Sequence, residues 1–246
     1  MTDAIGDRPP KPFLGSDHLP DTAAVPAPRH VWQPRTKRRL LLIGGAAGTG
    51  KSTVARTLAA RLSATWLQLD TLWIAMRDAA PQNSKERDLL DIDQRIRAQA
   101  EPAEVLLDHH IAASETVCAA IPHALAFELQ THPTVVADGA WLIPEFAAQL
   151  DLDDVSIRSV FLHEADPQQV AQAMSSRRGV AMVAAWHAES ARLAWLYGNW
   201  LADQAGGWRY RLCRPAHMRL RPIESLLSPD LWISLSLAPV SLTTSV

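Results

Sequence analysis

Apolar residues recur along this chain in two rhythms. Residues 40–43 (LLLI) form an uninterrupted apolar run closed by glycines, which predicts a strand buried on both faces. In Lys51–Leu62, Val54, Leu58 and Leu62 recur every four residues, which predicts a helix. A second strand is expected over 66–69, ended by Asp70, and a helix over 71–78. After a polar stretch at 81–87, helical pattern returns over 87–98. Across 103–129, Leu107, Ile111, Cys118, Ile121 and Leu125 keep helical spacing, and Pro122 should kink or split that segment. A third strand is expected over 135–137, ending in Asp138 and Gly139, with a short helix over 145–150. The fourth strand spans 157–162, followed by helices over Pro167–Ser175 and 180–205, a fifth strand over 209–213 and a last helix over 222–227. Strands alternate with helices, which predicts an α/β fold: a parallel sheet with helices on both faces.

The two ends differ from this middle. Seven of the 17 prolines precede residue 35, so 1–36 reads as a disordered arm. The basic cluster Arg35, Lys37, Arg38 and Arg39 reads as a solvated lead-in to the first strand. Residues 231–246 carry no charge, and Ile233, Leu235 and Leu237 alternate with serines. The folded domain is therefore placed at 37–230. The chain has 246 residues, 48% of them hydrophobic, with a net charge of -2. That length suits a sizeable core, and the charge lacks the basic excess of a nucleic-acid binder. Two isolated cysteines, Cys118 and Cys213, suit a reducing cytoplasm. Neither a secretory leader nor an apolar run of membrane-spanning length is expected.

The strongest chemical signal is Gly45-Ala46-Ala47-Gly48-Thr49-Gly50-Lys51-Ser52, followed by Thr53. It matches G-x-x-x-x-G-K-[ST] at every position, and it lies between a buried strand and an amphipathic helix, as the motif requires. Its glycines let successive backbone N–H groups converge on phosphate oxygens, and the helix points its positive end at the same anion. Lys51 would neutralise charge between the β- and γ-phosphates of ATP, and the Ser52 hydroxyl would ligate Mg²⁺. No [NT]KxD guanine motif and no LSGGQ-like signature occurs, which weighs against a GTPase and a transporter ATPase. The third strand ends in a lone acid where an AAA-type motor carries paired acids, and the run Asp138-Gly139-Ala140-Trp141-Leu142 lacks the arginine of the adenylate-kinase group.

Four segments, IGGAAGTGKST, WLQLDTLWIAM, VVADGAWLIPE and SVFLHEADPQQ, resemble the P-loop small-molecule kinases, and within them 2-phosphoglycerate-kinase-like proteins. Shikimate, gluconate and nucleotide kinases share the layout. The resemblance implies a P-loop NTPase three-layer sandwich with a five-stranded parallel sheet in the order 2-3-1-4-5, a substrate-binding segment after strand two and a mobile lid. It implies that Asp70 orients or deprotonates an acceptor hydroxyl, although an aspartate there also suits a helix N-cap. Asp138 would hold Mg²⁺ beside the phosphate loop, or serve as a turn aspartate before Gly139. Arg177 or Arg178 falls at the lid position, where a guanidinium would cover the transferring phosphate; a solvated helix-end pair is the plainer reading. Arg214 and Pro215 fall where similar kinases touch adenine, although an ordinary loop with backbone contact alone is the plainer reading.

Arg77 is placed to meet an anionic substrate, and Trp73 and Trp141 to flank the acceptor pocket or simply to pack. His109, His110, His163 and Glu164 lack metal-ligand spacing and read as structural or surface groups, and Trp186, Trp195 and Trp200 fall at helical core spacing. The expected activity is ATP- and Mg²⁺-dependent phosphorylation of a small-molecule acceptor, with no nucleic-acid or membrane partner. The alternative is a nucleotide-dependent switch that binds a macromolecule through its arm or tail.

Overall fold

The computed structural model describes residues 37–98, 101–176, 184–207 and 212–213. The expectations for the 1–36 arm, for Arg177 and Arg178, for Arg214 and Pro215, for the 222–227 helix and for the 231–246 tail lie outside the described residues, as does the side chain of Trp186.

A parallel sheet forms the middle layer. Strand β1 (Arg38–Gly45) pairs on one side with β3 (Thr134–Asp138) and on the other with β4 (Val155–Leu162). Strand β2 (Thr65–Gln68) adds beyond β3, and the two-residue β5 (Leu212–Cys213) pairs with Phe161 and Leu162, so the order is β2-β3-β1-β4-β5. Residues along a strand alternate between its two faces, so the continuous apolar run of β1 serves two cores. Leu40 and Leu42 join Val135, Ala137 and Phe161 on one face. Leu41 and Ile43 join Val136, Val160 and Leu162 on the other, against Ala55, Leu58 and Ala59 of helix α1 (Lys51–Leu62).

The first of these faces is covered by α6 (Ile121–Thr131), α7 (Pro144–Gln149) and α9 (Ala184–Gly207), which contribute Leu125, Ala147 and Tyr197. A third apolar cluster lies among helices and Trp141 of the loop after β3. It joins Leu90 of α3 (Lys85–Leu90), Ile92 and Ile96 of α4 (Ile92–Ala98), Leu106 of α5 (Ala103–Cys118) and Leu193 of α9. Helices α2 (Asp70–Ala79) and α8 (Pro167–Ser175) complete the described elements.

Two expectations are corrected here. The helix expected over 87–98 is two helices that meet at Asp91, whose backbone leaves the helical region (φ -92°, ψ 55°). The Asp91 carboxylate accepts from the Gln94 N–H (3.3 Å), so a side chain competes with the backbone ladder and starts α4 afresh. Asp70 does not end β2; the strand closes at Gln68 and Asp70 is the first residue of α2. The N-cap position falls to Leu69, and Asp70 sits in the first turn, where the helix dipole favours negative charge. At the other break, Pro122 stands in the first turn of α6, where a missing N–H costs nothing.

Candidate active site

Three strands deliver their last residues to one edge of the sheet. In the parallel register Ile43 of β1 and Gln68 of β2 both align with Asp138 of β3. The ladder continues one step beyond the strands: the Leu69 N–H donates to the Asp138 carbonyl (2.7 Å) and the Gly139 N–H to the Ile43 carbonyl (3.2 Å). The phosphate loop, Asp138 and Asp70 therefore leave the sheet at the same level, at the carboxyl edge where open α/β sheets bind ligands.

The loop is shaped by its glycines at two points. Gly45 has φ +133°, and a Cβ there would collide with the Leu162 carbonyl of β4. Gly48 has φ +84°, and its Cβ would stand 3.3 Å from both the Val170 carbonyl and the Met174 side chain, so α8 packs directly on the loop. Thr49 and Lys51 are buried, and both fold onto the loop: Thr49 Oγ1 and Lys51 Nζ donate to the Ala46 carbonyl at 2.9 and 2.8 Å. No acidic residue occupies the first turn of α1 and no side chain caps it, so its positive end remains available to an anion.

Asp138 is fully buried, and both of its oxygens are held. Ser52 Oγ donates to Oδ2 at 2.8 Å, and the Trp66 indole N–H donates to Oδ1 at 2.5 Å. The sequence reading missed Trp66; a buried carboxylate needs such a partner, but nothing in the spacing of positions 66 and 138 reveals it. The donor set fits Mg²⁺: a hydroxyl and a carboxylate, both hard oxygens, adjoin the phosphate loop, and the Ser52 proton is directed to Asp138, away from any ligand of the oxygen.

Asp70 is half-buried and faces a cavity of about 440 Å³. Its Oδ1 accepts from the Ala140 N–H (2.8 Å), tying α2 to the loop after β3. Ala47 of the phosphate loop and Met174 of α8 lie on the cavity wall with Asp70. The opposite walls come from α4, α5 and α9, through Ile92, Ile96, His110, Leu193 and Tyr197. Trp73 and Trp141 both line it, stacked at 5.0 Å. His110, read from the sequence as a structural or surface group, also lines it. Burial, with His109 adding to the effect, pushes the His110 imidazole down to about 3 and keeps it neutral. Behind Trp141, burial pushes the Cys118 thiol up to about 12, and its Sγ donates to the Trp141 carbonyl (3.2 Å), so this cysteine is a packing group and not a nucleophile.

Asp93 and Arg97, one helical turn apart on α4, line the same cavity and also a second one of about 380 Å³ that holds Arg77 and Arg87. Burial raises the Asp93 carboxyl while Arg97 and Arg77 oppose the rise. Arg77 lies over the Trp73 ring (4.9 Å) and pairs with Asp78, so it borders the second cavity and not the first. Asp93 and Arg97 were also missed; their one available signal is an i,i+4 charge pair one residue past the apolar pair Ile92 and Ile96. His163 stands apart from the cavity and bonds Asn199 (2.9 Å), while Glu164 accepts from the Asp166 N–H. Trp195 donates to the Ala165 carbonyl, and Trp200 packs on the main core.

Residues 40–117 match the model of a family described as an AAA domain, a stretch that holds the phosphate loop and Asp70 and stops short of Asp138. No curated protein matches the chain. Among solved structures it is similar to a gluconokinase from Sinorhizobium meliloti 1021, at 18% identity and a TM-score of 0.47 over 80% of this chain and 97% of that one. It is also similar to a shikimate kinase from Acinetobacter baumannii in complex with shikimate, at 16% identity and a TM-score of 0.43 over 81% of this chain and 97% of that one. Among the described residues no helix is long and apolar enough to cross a membrane.

Proposed function

We propose that this P-loop protein is an ATP-dependent kinase that transfers the γ-phosphate to a hydroxyl of a small molecule. The observation that carries the reading is a single cavity with Ala47 of the phosphate loop and Asp70 on its walls. Phosphoryl transfer needs an acceptor oxygen held in line with the γ-phosphate, and its loose transition state asks for positioning and charge neutralisation more than for a strong base. The amides of Gly45–Gly50 and the Lys51 ammonium hold the phosphates, with Thr53 just inside the helix. Ser52 and Asp138 would hold Mg²⁺, which supplies neutralisation of phosphate charge. Asp70, steadied by the Ala140 N–H, orients the acceptor hydroxyl and takes its proton as the new O–P bond forms and the bond to the leaving ADP oxygen breaks. Arg177 or Arg178 covers the transferring group. In this reading residues 37–230 form the kinase domain, 1–36 and 231–246 are appendages, and the protein works in the cytoplasm.

The test is ADP release by the full chain with Mg·ATP, alone and with a panel of hydroxylated small molecules. One acceptor should stimulate release strongly, and Lys51→Ala should abolish the stimulation. Release that no acceptor stimulates, together with a macromolecular partner bound differently with ATP and with ADP, would replace the kinase by a nucleotide-dependent switch.

A further inference from the structure

Four rings form one side of the acceptor cavity. Trp73 and Trp141 stack with 29° between their planes, His110 lies on Trp141 at 4.7 Å and 23°, and Tyr197 meets His110 edge-on at 4.3 Å and 70°. Two of their polar atoms are taken by protein partners. Trp73 Nε1 donates to the Leu90 carbonyl (2.7 Å), and the Tyr197 hydroxyl shares a hydrogen bond with Ser114 (2.9 Å). His110 Nδ1 is buried without a hydrogen-bond partner. Trp141 and Tyr197 are nearly fully buried in these ring contacts, so the cavity offers a ligand mostly carbon surface: ring edges, the half-buried Trp73, and the aliphatic side chains of Ile92, Ile96 and Leu193. Hydrogen-bonding groups gather at Asp70, beside the phosphate loop, and at Asp93 and Arg97, where the second cavity adjoins, with Ser190 between α9 and the cavity.

We propose that the acceptor is a hydroxylated molecule whose body is a flat apolar ring, and not a polyol or a sugar acid; the proposal rests on the kinase reading above. A polyol entering this cavity would give up water at every hydroxyl and recover partners for few of them. A ring in the same place gains apolar burial and edge-on ring neighbours, while one hydroxyl reaches Asp70. A volume of about 440 Å³ suits a fused bicycle with a short hydroxylated arm, within the roughly 300–1,000 Å³ of pockets that enclose small ligands.

Three probes separate the possibilities by calorimetry and ligand-observed NMR on the full chain: naphthylethanediol, its saturated decalin counterpart, and gluconate. The expected result is naphthylethanediol bound at least about tenfold more tightly than gluconate, and preferred over the decalin glycol. Trp73→Leu should cut that preference by about three- to tenfold, and Trp73→Phe should restore part of it. Retained thermal stabilisation by Mg·ATP shows that each variant is folded. Tighter binding of gluconate, or no binding of naphthylethanediol, overturns the proposal while ATP stabilisation and acceptor-stimulated ADP release leave the kinase reading standing. Naphthylethanediol binding without any ATP stabilisation or ADP release would leave the ring site and remove the kinase.

Discussion

The phosphate loop and the ring-lined cavity meet at Ala47, yet they are made of different materials. The loop is mostly backbone: glycines at unusual φ values, amides and a helix end, closed by the short contacts of Thr49 and Lys51 to Ala46. The cavity is almost wholly side chain, assembled from α2, α4, α5, α8, α9 and the loop after β3. Backbone sites recognise a group common to many ligands, here a phosphate chain, and side-chain sites carry what is particular to one protein. Their junction depends on two carboxylates, Asp138 serving the loop side and Asp70 the cavity side.

This division can be broken by substitution. Lys51→Ala should lower acceptor-stimulated ADP formation about a thousandfold, since it removes the buried cation that the kinase reading sets against the phosphate charge, while circular dichroism stays native. Wild-type turnover in that variant would remove the loop from the chemistry. Asp70→Asn should lower kcat about a hundredfold with little change in Tm, because the amide oxygen still accepts the Ala140 N–H and only the proton acceptor is lost. Unchanged kcat would leave Asp70 as a fastener between α2 and the loop after β3.

Asp138→Asn should act on both assembly and chemistry. An amide has one acceptor where the carboxylate has two, so either Trp66 or Ser52 loses its present acceptor, at a cost of about 1–3 kcal/mol in urea denaturation and a raised Mg²⁺ requirement. A variant as stable as the wild type would show that whichever of the two bonds is lost contributes nothing to the fold.

The smallest effect concerns the cavity wall alone. His110 is held down to about 3 when folded, against about 6.5 in an unfolded chain. Between those values the unfolded state binds a proton that the native state refuses, so stability falls as pH drops below about 6.5 and the loss levels off near 3. From pH 7 to pH 5 this loss should be about 1–2 kcal/mol, and it should vanish in His110→Phe, which keeps a ring against Trp141. Equal acid sensitivity of the two proteins, followed by denaturant titration, would show that the imidazole is hydrated when folded.

Legibility follows the same division. The boundaries of α1 and α8 were readable because each is set by neighbours in the chain: glycines before Lys51, and Asp166 capping Pro167–Ser175 through the Gln168 N–H. The break at Asp91 was not readable, because an aspartate within a helical pattern is as common on a solvated face as at a cap. Their positions after β2 and β3 mark Trp73 and Trp141 as residues that either flank a pocket or simply pack. His110 carries no such mark, because it sits mid-helix on α5 and acquires its neighbours from Trp141 and Tyr197, residues distant in the chain.

By itself the sequence determined a phosphate-binding loop between a doubly buried strand and a helix, and an alternation of strands and helices that makes a parallel sheet. Eight contiguous residues and two periodicities are enough for that, since both depend on local backbone geometry. Only the tertiary structure decided that Ser52 and Trp66 share the carboxylate of Asp138, and that four rings from α2, α5, α9 and the loop after β3 line one cavity. Those contacts span 72 positions from Trp66 to Asp138 and 86 from Ser52, and they exist only once the register of β1, β2 and β3 has brought the three strand ends level.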